Sequence, residues 1–384
     1  MKERSYFMDN LRTFLIFGVI VIHSGLVYEE VLAGSWITID PDKSGGIGLI
    51  RLYLDAFIMY LWFFISGYFV VSSKSSKSFW TFIKVKFTRL ILPWFFGIVL
   101  LIPLYKYIFL YSRGLPQEEW YSYFHFYLRP GGNPYYFADN PVQNWLWFLP
   151  ILFLFQLLYL LIPESWSRTI SFKKGIVGLV LVGTLYGWTI SSLGLSGWYH
   201  SFLLHFQNER LLTYFLTFLL GSLAFRQNIF NSIFSNRPLY IWINVLLIII
   251  MSVYTLVALN LFFNLVDPTR NFFFVNAPVD RLVYYFSQIV TMVSISYLIL
   301  HAFYKYCNRS NSILHSLAKS SYHVYLIHLI VIGIIGTMMV SLSISPWIKY
   351  AFLSIATFVV SSLISVFYRR FKGLLSSTAR RDLP

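Results

Sequence analysis

The amino-acid sequence predicts an all-α, polytopic membrane protein with about ten transmembrane helices and with both termini in the cytoplasm. Only 12% of the 384 residues are charged and 57% are hydrophobic, whereas soluble domains carry about 25% charged residues. The chain contains ten apolar stretches of the length that a bilayer core requires, about 17–25 residues. Its lysines and arginines are also distributed unevenly between alternate connecting segments, which predicts the orientation.

The ten apolar stretches follow one another from the first residues to about residue 370. We interpret residues 1–370 as a single transmembrane domain and residues 371–384 as a short basic cytoplasmic tail. No internal or inverted repeat of the kind found in transporters is visible. The stretches cover residues 11–31, 50–71, 88–108, 145–163, 175–193, 211–227, 239–263, 282–304, 321–343 and 347–368.

The positive charges indicate which side of the membrane each segment faces. A cytoplasmic N-terminus assigns 21 of the 30 lysines and arginines to the inside, as the positive-inside rule requires. The net charge of +15 is therefore explained by topology in a plasma or inner membrane, and we expect the lipid bilayer as partner and no nucleic acid. The single cysteine, Cys307, excludes an intrachain disulfide and a cysteine-based metal site, and we expect no metal.

The first apolar stretch carries two ionisable residues, Arg12 and His23, eleven positions apart. Eleven residues are about three helical turns, so both side chains lie on one helix face, roughly 16 Å apart along the axis. Asp9 precedes Arg12 by one turn. Ionisable residues inside a membrane span are functional candidates by default. The alternative is that Arg12 reaches the cytoplasmic interface and that His23 only bonds a neighbouring helix.

The second stretch contributes Asp55 and Ser66. Asp55 lies near the predicted depth of His23 and is a candidate to orient it, because a carboxylate can position and charge a catalytic histidine. An ion pair with Arg51, one turn away, is the slightly favoured alternative. Ser66 and Gly67, in FFISGYF, allow either a ligand or a second helix to approach closely.

Two later segments contain further candidates. Arg89, in KVKFTRLILP, is a deep cation suited to a phosphorylated ligand, although Lys84 and Lys86 beside it fit the ordinary positive-inside bias. Tyr325 and His328, in SSYHVYLIH, lie on one helix face with Ser321. A second intramembrane histidine points to an internal polar cavity, whereas a lone one would fit a satisfied core histidine.

These blocks together resemble one protein family. FMDNLRTFLIFGVIVIH is similar to the opening of the membrane acyltransferase-3 family, and FFISGYF, KVKFTRLILP, NWLWFL and SSYHVYLIH resemble its later blocks in the same order. The Arg-x10-His spacing alone is weakly specific, whereas the five blocks in order on a ten-helix frame are strongly specific. The opening block and the size look closest to the members that acylate extracytoplasmic glycans.

The resemblance implies a membrane acyltransferase that takes an acetyl or succinyl group from cytoplasmic acyl-CoA and passes it to a hydroxyl of an extracytoplasmic glycan or related acceptor. The functional residues of the family motif correspond to Arg12 and His23 in this sequence, and Arg89 is added because of its place in the third block. We expect Arg12, Arg89 and Ser66 to bind acyl-CoA, His23 and Asp55 to be catalytic, and Tyr325, His328 and Trp147 to contact the acceptor. His23 would act as a general base or carry the acyl group briefly. The alternative function is a transporter or flippase of a lipid-linked or small organic substrate.

Overall fold

The computed structural model describes residues 5–30, 35–163, 165–264, 269–270 and 272–381, with the backbone alone at 263 and 373–381. It is 74% helical, which confirms the predicted all-α class. The helices are α1 (Tyr6–Gly25), α2 (Gly45–Asp55), α3 (Ile58–Ser75), α4 (Phe79–Lys86), α5 (Leu92–Tyr111), α6 (Phe148–Leu161), α7 (Trp166–Thr169), α8 (Phe172–Ser192), α9 (Leu211–Arg226), α10 (Phe230–Phe234), α11 (Arg237–Phe263), α12 (Ala277–Tyr306), α13 (Ser312–Met339) and α14 (Pro346–Arg381). A small antiparallel hairpin, β1 (Trp198–His200) and β2 (His205–Gln207), joins α8 to α9.

The described residues of all ten predicted apolar stretches are mainly helical, and the second stretch is divided between α2 and α3. Nine helical segments of the described chain are long and apolar enough to cross a membrane. The remaining stretch, residues 211–227, forms α9, which has only 16 residues and is shorter than the ~20 residues that a full span requires. The last helix continues to Arg381, so the predicted tail from residue 371 is helical as far as that residue, and residues 382–384 lie outside the described part.

The chain divides into two compact units, each assembled from separate segments. The first comprises Met1–Leu54, Phe95–Leu146 and Cys307–Pro384. Within it, α1, α13 and α14 pack against one another. The second comprises Asp55–Trp94 and Trp147–Tyr306.

Two buried lysines fix the loops of the first unit. Lys349 of α14 pairs with Asp40 at 2.8 Å, and neither side chain is exposed. Lys106 of α5 pairs with Glu118 at 2.9 Å and also donates to the carbonyl oxygens of Ser122 and Ala138. Because a buried ammonium needs all of its hydrogens bonded, these contacts hold the connecting segments that contain Asp40 and Glu118 against the helices.

Glycines set the closest helix contact of the second unit. A Cβ atom on Gly67 would lie 1.8 Å from the carbonyl oxygen of Phe218, and one on Gly221 would lie 2.0 Å from that of Phe64. Helices α3 and α9 therefore meet backbone to backbone along these positions, as small residues permit inside membranes. Of the two interpretations offered for Gly67, helix packing is the one that the structure supports.

A π-helical turn, Phe87–Ile91, joins α4 to α5. Pro93 explains its presence, because proline has no N–H to offer the carbonyl of the residue four positions earlier, Arg89, and its ring would press on that carbonyl in a regular helix. Widening the turn relieves both problems, and such turns are frequent at functional sites. The predicted ligand-binding residue Arg89 thus lies on an irregular turn and is exposed.

Candidate functional site

The candidate catalytic centre is a pair of histidines in the first unit. His23 lies near the end of α1, and His328 lies in the middle of α13. Nδ1 of His23 is 2.8 Å from Nε2 of His328. The two rings are nearly coplanar, with 6° between their planes and 5.1 Å between their centres, so they meet edge to edge through these nitrogens. The sequence predicted both residues individually but not their contact.

A backbone carbonyl determines where the hydrogens of this pair reside. Nδ1 of His328 lies 2.7 Å from the carbonyl oxygen of Tyr325, which can only accept a hydrogen bond. Nδ1 of a neutral His328 is therefore the protonated nitrogen, and its Nε2 is an acceptor. It follows that Nδ1 of His23 donates to His328, and that Nε2 of a neutral His23 carries the free lone pair. This is the tautomer that a general base requires.

Aromatic side chains hold the two imidazoles in place. The indole N–H of Trp36 donates to the carbonyl oxygen of His23 at 3.0 Å, and its ring lies 5.2 Å from the His23 ring. The indole N–H of Trp145 donates to the carbonyl of Leu326 at 3.0 Å, and the hydroxyl of Tyr325 donates back to the carbonyl of Trp145. His328 is completely buried, whereas His23 is half-buried. The accessible member of the pair is thus the one with the free nitrogen.

Arg12 and Asp9 form an ion pair on α1, with 3.6 Å between Nη1 and Oδ1. Both side chains remain partly exposed. The contact agrees with the predicted placement of Asp9 one turn before Arg12. The guanidinium therefore lies near the start of α1, at the opposite end of this helix from His23.

Asp55 has a different partner from the two that the sequence suggested. Its Oδ2 lies 2.6 Å from Nη1 of Arg210 in the second unit. Arg51 pairs instead with Glu29 at 2.6 Å, so the predicted Arg51–Asp55 ion pair is wrong. The ring partner found for His23 is likewise His328 and not Asp55. Residues 155 positions apart in sequence form the Asp55–Arg210 pair, which local spacing cannot reveal.

The remaining predicted site residues lie in the second unit. Ser66 is half-buried on α3, beside the Gly67 contact. Trp147 is buried, and its ring packs against the rings of Phe63, Trp198 and Tyr214. Its surroundings are therefore mainly aromatic.

Sequence reasoning missed three aromatic residues of the histidine centre. Trp36 lies in a connecting segment, Trp145 belongs to the NWLWFL block in which only Trp147 was selected, and the buried Tyr105 stacks on Trp145 with 5.9 Å between ring centres. The block resemblance was the one signal that could have identified Trp145. Trp36 and Tyr105 carry no signal that separates them from the many aromatic residues of the membrane interface.

Comparison with known proteins completes this description. Neither the curated proteins nor the solved structures include a significant match to the chain. The family model described as "Acyltransferase domain" matches residues 5–366, and this range contains every residue of the histidine centre. A match over nearly the whole chain confirms the resemblance found in the sequence blocks. The chain belongs to the acyltransferase-3 family of membrane acyltransferases.

Proposed function

We propose that the protein transfers an acetyl or succinyl type of acyl group from cytoplasmic acyl-CoA to a hydroxyl of an extracytoplasmic glycan or related acceptor. Membership of the family supports acyl transfer in a membrane. The observation that carries the proposal is the His23–His328 contact, because it leaves an unprotonated nitrogen on the half-buried His23. No comparable observation favours transport.

His23 acts as the general base in the proposed reaction. Its Nε2 takes the proton of the acceptor hydroxyl while the hydroxyl oxygen attacks the thioester carbonyl. A carbon–oxygen bond forms and the carbon–sulfur bond breaks, and the departing CoA thiolate receives the proton back from the imidazolium. His328 accepts the Nδ1 hydrogen of His23 throughout and so keeps the ring oriented, as the third group of a catalytic triad does.

The donor is held by cations at the cytoplasmic side in this proposal. Arg12 and Arg89 contact the phosphates of CoA, since a guanidinium binds phosphate oxygens through two parallel hydrogen bonds. Ser66 contributes a hydroxyl to the same ligand. Arg12→Lys should therefore raise the KM for acyl-CoA almost as much as Arg12→Ala, because lysine lacks the planar fork.

The acceptor approaches from the opposite side, and Tyr325 and Trp147 are proposed to contribute to its binding. His328, which the sequence suggested for the same role, is completely buried with both ring nitrogens bonded, and we propose that it orients His23 instead. The predicted orientation, with both termini inside a plasma or inner membrane, rests on the distribution of lysine and arginine. Asp55, proposed from sequence as a catalytic residue, faces Arg210, and this contact favours a stabilising role.

Acyl transfer by membranes that contain His23 variants tests the proposal. Radiolabelled acetyl-CoA and succinyl-CoA are supplied, and the label on extracytoplasmic glycans is measured together with their mass. His23→Gln and His23→Ala should each lose about 10²–10⁴-fold in transfer rate, with unchanged acyl-CoA binding. His315→Gln, on the same helix as His328 but outside the pair, is the matched control. Substantial transfer by His23→Gln would contradict the role of His23 as the base.

A further inference from the structure

The hairpin between α8 and α9 lies outside the centre formed by His23 and His328. Its two strands pair in the register Trp198↔Gln207, Tyr199↔Phe206 and His200↔His205. The turn is closed by Ser201, whose N–H and hydroxyl both donate to the carbonyl of Leu204 at 2.9 Å. The hairpin is thus an ordered element of the second unit, although it contains only two short strands.

Three observations place this hairpin at membrane depth. First, α9 has 16 residues and spans only about 24 Å at the helical rise, short of the ~30 Å hydrocarbon core. Secondly, Phe202 at the hairpin tip packs on Trp94 with 6.4 Å between ring centres, and Trp94 is the sixteenth residue of the 33-residue span Phe79–Tyr111. The residues before α9 therefore lie in the part of the hydrocarbon core that α9 is too short to cross.

The third observation concerns the base of the hairpin. Trp198 packs on Trp147 at 5.6 Å, and Trp147 contacts Phe63 at 6.3 Å. Phe63 is the nineteenth residue of the 31-residue span Gly45–Ser75, again close to its middle. The base thus lies beside the first turn of one membrane span, since Trp147 is the fourth residue of Asn144–Leu161, and the tip lies beside the middle of another.

Backbone that is not helical survives at this depth only when it is buried in protein or faces a water-filled cavity. The hairpin is not buried: Trp198 is 42% exposed, Tyr199 is 46% exposed, and His200 is exposed as well. His205, by contrast, is 6% exposed and stacks on Trp198 with 4.5 Å between ring centres. Its Nδ1 has no hydrogen-bond partner among the described residues. Water against the exposed face at Trp198, Tyr199 and His200 would meet the requirement for non-helical backbone at this depth.

We propose that residues 198–207 form a re-entrant hairpin that lines an aqueous vestibule open to the outer side of the membrane, with Trp198, Tyr199 and His200 as its acceptor-binding surface. Flat aromatic faces beside an imidazole suit a hydroxylated ring such as a sugar, because apolar surface and hydrogen-bonding groups alternate on both partners. The vestibule is inferred from contacts within the second unit, and its opening to the outer side from the predicted orientation, whereas the acceptor assignment rests on the proposed function.

Thiol accessibility tests the vestibule without any acyl transfer. In a Cys307→Ser background, Ser201→Cys is treated in intact cells with a membrane-impermeant maleimide. We expect labelling from outside. The matched control is Leu100→Cys, because Leu100 is 62% exposed in the apolar span of α5, six residues from Trp94, where we expect lipid; it should remain unlabelled. Reaction of Ser201→Cys only with a membrane-permeant reagent, or only from the cytoplasmic side, would overturn the vestibule.

Kinetics test the acceptor surface separately. Trp198→Leu and Tyr199→Leu should each raise the KM for the glycan acceptor about tenfold, the value of one lost aromatic contact, with no change in the KM for acyl-CoA. Phe202→Leu, which keeps an apolar side chain against Trp94, is the control. An unchanged acceptor KM would overturn the acceptor assignment. Absence of any transfer by the unmodified protein would instead contradict the proposed function, and the labelling result would still decide the vestibule.

Discussion

At His328, one carbonyl group decides which ring nitrogen carries a hydrogen. The contact between Nδ1 of His328 and the carbonyl of Tyr325 makes Nε2 an acceptor for His23. His328 therefore orients the proposed base without touching the reacting atoms. Its effect on the rate should be exerted through the ring of His23.

We predict that His328→Ala lowers acyl transfer about 10–100-fold while the KM for acyl-CoA stays constant, by analogy with the loss of an orienting partner in metal and catalytic sites. His328→Gln, whose side-chain oxygen can still accept from His23, should recover part of the rate. The measurement is kcat over a pH series for the three proteins. A merely structural role would instead reduce the amount of folded protein and leave kcat unchanged.

The Asp55–Arg210 ion pair gives a second prediction for single residues. Asp55→Ala leaves the guanidinium of Arg210, whose side chain is only 10% exposed, without its counter-charge. Loss of one partner of a fully buried pair costs about 3–5 kcal/mol. Because the Asp55 side chain is 32% exposed and solvent screens the pair, we expect a smaller loss, about 1–3 kcal/mol, measured by thermal unfolding in detergent.

The double variant Asp55→Ala with Arg210→Met separates stability from chemistry. It removes both charges and should recover most of the stability, and we expect transfer activity to recover with it. A stable but inactive double variant would restore Asp55 to the catalytic group proposed from the sequence.

At the scale of elements, the α3–α9 contact depends on glycine. Gly67→Ala would place a methyl group 1.8 Å from the Phe218 carbonyl oxygen, so the helices must separate. We predict destabilisation by about 1–3 kcal/mol, the usual cost of overpacking. Gly178→Ala on α8 is the matched control, because no atom lies within 4 Å of its added carbon. It should be neutral or slightly stabilising. Equal melting temperatures for the two variants would contradict this packing.

Sequence patterns predicted the elements better than their partners. Each of the ten apolar stretches is mainly helical, because hydrophobic length reports membrane crossing directly, although the stretch 50–71 is divided between α2 and α3. Even the shortest stretch, residues 211–227, was recognised, although its helix α9 is too short for a full span. The histidine pair joins residues 305 positions apart, and the contact is created by the packing of α1 on α13, which no local pattern encodes.

At the scale of the whole molecule, the orientation in the membrane is the main prediction. The bias of lysine and arginine places residue 77 in the cytoplasm and residue 117 outside. In a Cys307→Ser background, Lys77→Cys should react with an impermeant thiol reagent only after the membrane is permeabilised, whereas Gln117→Cys should react in intact cells. The opposite pattern of accessibility would reverse the topology and the direction of the proposed transfer.

The π-helical turn at Phe87–Ile91 has a geometric consequence for the long helix that contains it. One extra residue rotates everything beyond the turn by about 100° around the axis relative to an uninterrupted α-helix. The direction of Trp94, which meets the hairpin tip at Phe202, is thus shifted by about this angle relative to Lys84 on the preceding turns. Deleting a single residue from this turn would leave the span hydrophobic and long enough, yet would swing one of these two side chains about a quarter-turn away from its present direction.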